Sequence, residues 1–230
     1  YNSCRSRHCP KCQGLTQARW LEGQMQRILS TRYFHIVFTL PSELRDLTFW
    51  NRRAVFGLLF QAASATLLEL GRDPHRLGAL LGFTAVLHTW TRDLRFHPHL
   101  HVIVTCGGLR AKDEAWVSRH RGRYLFPVTV LGSLFRGKLM AALLRARRKG
   151  ALRFLGPCEP LAEDHVFDAF KAKLYSKDWV VYAKRPFGAV EDIYRYLGRY
   201  THRTGISNSR VQAFDENGVR FAHEVHPSEI

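Results

Sequence analysis

The densest run of reactive side chains is Phe96-His97-Pro98-His99-Leu100-His101-Val102-Ile103-Val104. On a strand, successive side chains take opposite faces, so His99 and His101 share one face and Leu100 points into a core on the other. Their Cα atoms would stand roughly 6–7 Å apart, close enough for two imidazoles to hold one metal ion. Three histidines in five residues, leading into an apolar strand, argue against a chance surface cluster. Two ligands seldom complete a metal site. His88, on the preceding apolar segment, is the candidate third; the competing reading packs it into the core beside Trp90.

A second concentration is Tyr194-Arg-Tyr196-Leu-Gly-Arg-Tyr200-Thr-His202-Arg203. On a helix Tyr196 and Tyr200 stand four residues apart on one face, while Tyr194 points elsewhere. Gly198 is expected to leave room there for an approaching strand. A phenol with a pKa near 10 is a weak nucleophile, but a divalent metal and basic neighbours favour its attack on phosphorus. The competing reading is amphipathic packing with the hydroxyls in water. A third cluster is Cys4, Cys9 and Cys12, with His8 beside it; the CxxC spacing fits tetrahedral zinc, against free thiols at a chain end. Cys106 and Cys158 stand alone and read as buried thiols of a reducing compartment.

The elements that must position these groups follow from pattern. Residues 15–29 read as a helix. Tyr33–Leu40 is a β-branched and aromatic strand ended by Pro41. Ser42 is the expected N-cap of a helical region running to about Leu70, with Gly71 as its stop. Gly82–Trp90 and His99–Thr105 form a long hairpin through Thr91–Pro98, with Gly107-Gly108 closing the second strand. Phe135–Arg148 and Ala162–Tyr175 are helices, Asp178–Lys184 holds a short strand, and Val190–Thr201 is a helix. Arg210–Val225 is a hairpin turning at Asp215–Gly218. Strands and helices mix without strict alternation, which favours α+β over a doubly wound sheet.

Charge narrows the partner. Lys and Arg number 35 against 19 acidic residues, a formal net charge of +16. A folded chain this basic usually meets a polyanion, and phosphate backbones are the commonest. The excess is densest at 119–123, 145–153 and 184–210. Hydrophobic residues make up 46%, enough for a core. No uninterrupted apolar run approaches the roughly 18 residues of a membrane span, and no secretory signal opens the chain. The chain does not begin with Met and is expected to be a fragment.

Taken together, YNSCRSRHCPKCQ, YFHIVFTLP, VLHTW, HPHLH, WVVYAKRPFG and YLGRYTHRTGISN resemble, in this order, transposases of the insertion sequence 91 family. These resemble the wider HUH endonucleases, named for His-hydrophobic-His. The resemblance spans roughly residues 1–212. It implies an α+β, HUH-endonuclease-like fold: an antiparallel sheet with helices packed on it, preceded by a partial zinc knuckle at 1–14, with the nuclease core at 15–230. It also implies Mg²⁺ or Mn²⁺ at the His pair. Ligand softness alone points to a transition metal, and Mn²⁺ meets both conditions. Carried over residue by residue, the HUH pair is His99 and His101 and the paired tyrosines are Tyr196 and Tyr200. Cys4, Cys9 and Cys12 resemble the second half of the family's N-terminal zinc-binding domain. The tail FAHEVHPSEI departs from the family pattern.

The resulting expectation is a rolling-circle transposase. It would nick single-stranded DNA through a 5′-phosphotyrosine and rejoin it by strand transfer, with Zn²⁺ at the knuckle. Lys184, Arg185, Arg195, Arg199 and Arg203 are expected to contact the DNA. The partners would be single-stranded DNA at element ends and target, with no membrane, in a bacterial cytoplasm and on the nucleoid when bound. The oligomeric state is not legible. The rivals are a rolling-circle replication initiator or relaxase, a catalytically inactive DNA-binding remnant, and a zinc hydrolase. The last is weakened because no acidic general base stands closer to HPHLH than Asp93.

Overall fold

The computed structural model describes residues 10–91, 93–118, 125–184, 194, 198 and 210–222. Contacts gather the chain into two compact units, Thr31–Leu87 with Pro98–Phe187, and Tyr1–Ser30 with His88–His97 and Gly188–Ile230.

The first unit is built around β1 (Tyr33–Thr39), whose β-branched and aromatic residues suit a pleated, packed surface. It pairs antiparallel with β3 (Phe96–Leu109) on one side and β5 (Val181–Lys184) on the other. β2 (Leu80–Trp90) lies beyond β3, giving the order β2-β3-β1-β5, and β4 (Trp116–Ser118) pairs with the far end of β3. One face of β3, β1 and β5 is wholly apolar. Phe34, Ile36 and Phe38, then Leu100, Val102 and Val104, then Val181 and Ala183, are all buried in a single core. Two long helices, α3 (Arg52–Arg72) and α4 (Val128–Arg148), pack on each other and supply a large part of that core. Phe135 of α4 meets Phe38 at 5.0 Å and Trp179 at 5.6 Å between ring centroids. α3 is long and apolar enough to cross a membrane, but Leu59, Ala63 and Leu67 sit within this core. This is the expected α+β arrangement, and every pairing with a described register is antiparallel.

Local readings differ in instructive ways. The helical region after Pro41 is three pieces: a 3-10 turn at Ser42–Leu44, α2 (Arg45–Trp50), then α3. Ser42 caps nothing; its hydroxyl donates to Glu43 at 3.3 Å. The break falls at Asn51, whose amide donates to the carbonyls of Leu47 (2.9 Å) and Arg153 (2.8 Å) and accepts from the Arg153 N–H (2.7 Å). Gly71 is not a stop, since α3 runs through it. A Cβ there would lie 2.9 Å from the Ala79 carbonyl oxygen and the Leu81 side chain, so the glycine permits close packing. Gly107 and Gly108 likewise continue β3. A side chain at either would collide with the backbone of Val117 or Leu80. The remaining elements are α5 (Asp164–Tyr175) and a 3-10 segment at Gly156–Ala162.

In the second unit α1 spans Pro10–Met25, starting and ending earlier than the apolar spacing suggested. Tyr194 and Gly198 are helical. Tyr194 is 5% exposed, its ring 6.4 Å from that of Trp20. A Cβ on Gly198 would meet Gln17 at 3.4 Å and Trp20 at 3.8 Å, so this glycine faces α1 and not an open channel. β6 (Val211–Asp215) and β7 (Gly218–Phe221) form the expected hairpin. The Asp215 carboxylate accepts from the N–H groups of Asn217 (2.8 Å) and Gly218 (3.1 Å), the short-range bonding for which Asp is favoured in turns.

Candidate metal centre

The register of β1 against β3 decides what shares the second face of the sheet. Thr39 pairs with His99, Val37 with His101 and His35 with Ile103. Paired residues lie on one face, and so do residues two apart. His35, His99 and His101 therefore lie on the face opposite the Phe38 core. His35 is 2% exposed and His101 7%. Nε2 of His35 lies 2.9 Å from Nδ1 of His101. The rings are nearly coplanar, 15° between planes and 5.1 Å between centroids. An in-line N–H···N bond between two imidazoles puts the centroids about 5 Å apart, so the bond sets this geometry and not face-to-face stacking. One nitrogen must donate and the other accept. His101 thus has its Nδ1 committed to His35, which directs its Nε2 to any other ligand. The His99 ring is 5.0 Å from that of His101 and tilted by 59°.

His88 lies on β2, the strand beside β3. One ring nitrogen from each of His88, His99 and His101 lies within 4.8 Å of the others. An ion bonded to three imidazoles at about 2.1 Å holds their nitrogens about 3.4 Å apart in tetrahedral geometry, so rotamer adjustments of about 1 Å would close the three rings around it. The donor set is three neutral nitrogens, which fits a divalent ion of intermediate softness better than Mg²⁺. Asp93 is spent elsewhere. Its carboxylate takes the Thr91 hydroxyl and an ion pair with Arg95 in the β2–β3 turn, and the Thr91 bond followed by Arg95 holds it below the usual carboxylate range.

The other expected site residues divide sharply. Tyr196, Tyr200, Cys4, Cys9, Arg185, Arg195, Arg199 and Arg203 lie outside the described residues. Cys12 is placed by its backbone, in the first turn of α1. Lys184 takes the register position opposite His35. Cys106 and Cys158 are buried free thiols; burial, then Asp46, pushes the Cys158 thiol up, away from reactivity. Within the basic stretch 145–153, Arg147 is committed internally. It bonds Asp164 (2.6 Å) and the Ala162 carbonyl (2.7 Å), and lies 4.5 Å from the Phe167 ring centroid. Sequence reading passed over His35. Its one visible signal was a polar residue inside an otherwise apolar strand.

Comparison with known proteins identifies the context of this centre. Residues 82–229 match the family model described as "Putative transposase" (Y2_Tnp), and residues 1–40 match a transposase zinc-binding domain. "Putative transposase y4qJ" of Sinorhizobium fredii is 44% identical over 96% of this chain and 55% of its own length. The transposase for insertion sequence element IS801 of Pseudomonas savastanoi is 27% identical over 98% and 52%. The chain thus spans about half the length of the curated relatives it matches. Among solved structures, a metal-bound conjugative relaxase TrwC in complex with oriT DNA gives a TM-score of 0.39 at 12% identity, covering 74% of this chain and 71% of that one. With the His99-Leu100-His101 strand inside the first matched span and the Cys9-x-x-Cys12 pair inside the second, this chain belongs to the Y2_Tnp transposase family.

Proposed function

We propose that the chain is the nuclease core of a rolling-circle transposase, a metal-dependent enzyme that nicks and rejoins single-stranded DNA through a tyrosine. The observation that carries this reading is the histidine face itself, an imidazole cluster on one side of a central strand, in a chain of a transposase family. His99, His101 and His88 would hold Mn²⁺ or Mg²⁺, and His35 would hold the His101 ring. A divalent ion bound there draws charge from a non-bridging oxygen of the scissile phosphate. The knuckle at 1–14, with Cys4, Cys9 and Cys12, would hold Zn²⁺ as a structural site separate from the core at 15–230.

The tyrosine chemistry is balanced without ATP. A phenol of Tyr196 or Tyr200 gives up its proton, and its oxygen bonds to phosphorus in line with the departing 3′-oxygen, which takes a proton. A 5′-phosphotyrosine and a free 3′-hydroxyl result, and a later 3′-hydroxyl reverses the step on the same phosphorus. Tyr194 and Gly198 both turn toward α1. The burial of Tyr194 against Trp20 supports assigning no nucleophile to it. Lys184, Arg185, Arg195, Arg199 and Arg203 would neutralise backbone phosphates.

Denaturing gels of the chain incubated with Mn²⁺ and labelled single strands of the element's ends test this. A covalent adduct is expected that disappears in the Tyr196→Phe/Tyr200→Phe double variant. An adduct that persists there and vanishes in Tyr194→Phe would refute the assignment. No adduct with any strand would leave an inactive DNA-binding remnant.

A further inference from the structure

The pairing of β5 with β1 extends the histidine face by one more strand. Tyr182 pairs with Val37, and Lys184 with His35. The Thr39 N–H donates to the Val180 carbonyl at 3.4 Å, continuing the ladder one residue beyond β5. Parity is unambiguous, because Trp179, Val181 and Ala183 are buried in the core on the opposite face. Three rows therefore cross β3, β1 and β5: His99-Thr39-Val180, His101-Val37-Tyr182, and Ile103-His35-Lys184.

Burial grades across this grid. Its inner row is closed, with Ile103 at 0% and His35 at 2% exposed. On the β5 side it opens onto two large apolar side chains in water, Tyr182 at 44% and Val180 at 65%. Tyr182 thus presents part of its ring to solvent on a strand packed at both neighbouring positions. It lies in the same row as His101, two strands away, roughly 10 Å between Cα atoms at normal strand spacing. That is the scale of a single nucleotide.

We propose that Tyr182, with Val180 as its apolar floor, forms a nucleobase-stacking platform that seats an unpaired base of the single strand beside the histidine centre. The proposal rests on the single-strand reading above and adds to it the subsite that orients the strand. Two features point to this occupant: the exposed ring, with a lysine two residues on in the sequence, and the net charge of +16. An aromatic flanked by cations is how sequence-tolerant single-strand sites hold successive bases. Placing the base on β5 would leave its adjoining phosphate over the β1–β3 rows where the histidines stand.

The test separates base stacking from phosphate binding. Affinity is measured at fixed low salt for a labelled oligothymidylate and for an abasic oligomer of equal length. The unmodified chain should prefer the oligothymidylate. In Tyr182→Ala and Tyr182→Leu that preference should shrink about 5- to 100-fold, with abasic affinity and Mn²⁺ affinity unchanged; unchanged Mn²⁺ affinity also shows the sheet intact. Tyr182→Phe should keep the preference. Photocrosslinking of a 5-iodouracil strand should mark the peptide carrying Tyr182. A preference untouched in both Tyr182→Ala and Tyr182→Leu overturns the platform, as does loss in Tyr182→Phe equal to that in Tyr182→Ala, which would mean the hydroxyl and not the ring is used. If the unmodified chain binds neither oligomer, the single-strand reading itself fails, and the platform with it.

Discussion

Each face of β1 and β3 holds deeply buried side chains, but one is wholly apolar and the other carries histidines. Phe38 and Leu100 on one face are fully enclosed; His35 and His101 on the other are 2% and 7% exposed. The first face is what a fold needs. Each enclosed Phe or Leu contributes about 1.5–3 kcal/mol by leaving water. The second face is one a fold would avoid, since imidazoles lose hydration on burial and must recover it by bonding one another. A protein that keeps a polar cluster at the centre of its sheet gives up stability there for a different end.

That contrast can be broken in several ways. Phe38→Ala should cost about 3–5 kcal/mol, read as a fall in the urea midpoint at constant slope. His101→Ala should cost far less than that in metal-free protein, yet weaken Mn²⁺ binding by more than about 100-fold with single-strand affinity kept within a few fold, because affinity for the strand comes mainly from phosphate contacts. Comparable destabilisation by the two substitutions would mean that the histidine face is simply a second core.

His35→Ala sharpens the comparison. Loss of the group that fixes a ligand's ring typically weakens metal affinity about 10- to 100-fold, and that range is expected for Mn²⁺ here. Nitrogen NMR should show His101 protonated at Nδ1 in the unmodified chain and mixed tautomers in the variant. A single unchanged tautomer would remove His35 from the centre. The smallest effect is expected at the β2–β3 turn. Asp93 titrates below its ordinary 3.8 because of Thr91 and then Arg95. Its folded pKa is depressed, so its contribution is complete above about pH 4 and lost as pH falls through the folded value. Asp93→Asn should lower the melting temperature slightly at pH 7, with the deficit shrinking as pH falls below about 4; a deficit that stays constant with pH would show that the ion pair is irrelevant.

Much of this was legible in advance, and the limits are specific. Period-two alternation gave the shared face of His99 and His101 without any tertiary information. The β6–β7 turn was equally plain, because Asp-Glu-Asn-Gly carries its own bonding rules. His35 was not legible as part of the centre. Its partner is 66 residues away, and only the β1–β3 register brings them together. Gly71, Gly107 and Gly108 were misread as ends for a related reason. A glycine signals either a stop or a close approach, and the approaching backbone belongs to another segment. The break between α2 and α3 depends in the same way on Arg153, 102 residues beyond Asn51.

The position of β1 also has a consequence during synthesis. Among the described strands it is the first made and becomes an inner one, with both partners downstream. At typical translation rates of about 5–20 residues per second, β5 is completed on the order of 10–30 seconds after β1. Until β3 emerges, about halfway through that interval, Tyr-Phe-His-Ile-Val-Phe is an unpaired, strongly β-prone segment without a charge, the kind that seeds aggregation. His35 is its one interruption. The residue that positions the centre in the finished sheet is therefore also the only polar break in that segment while the nascent chain waits for its neighbours.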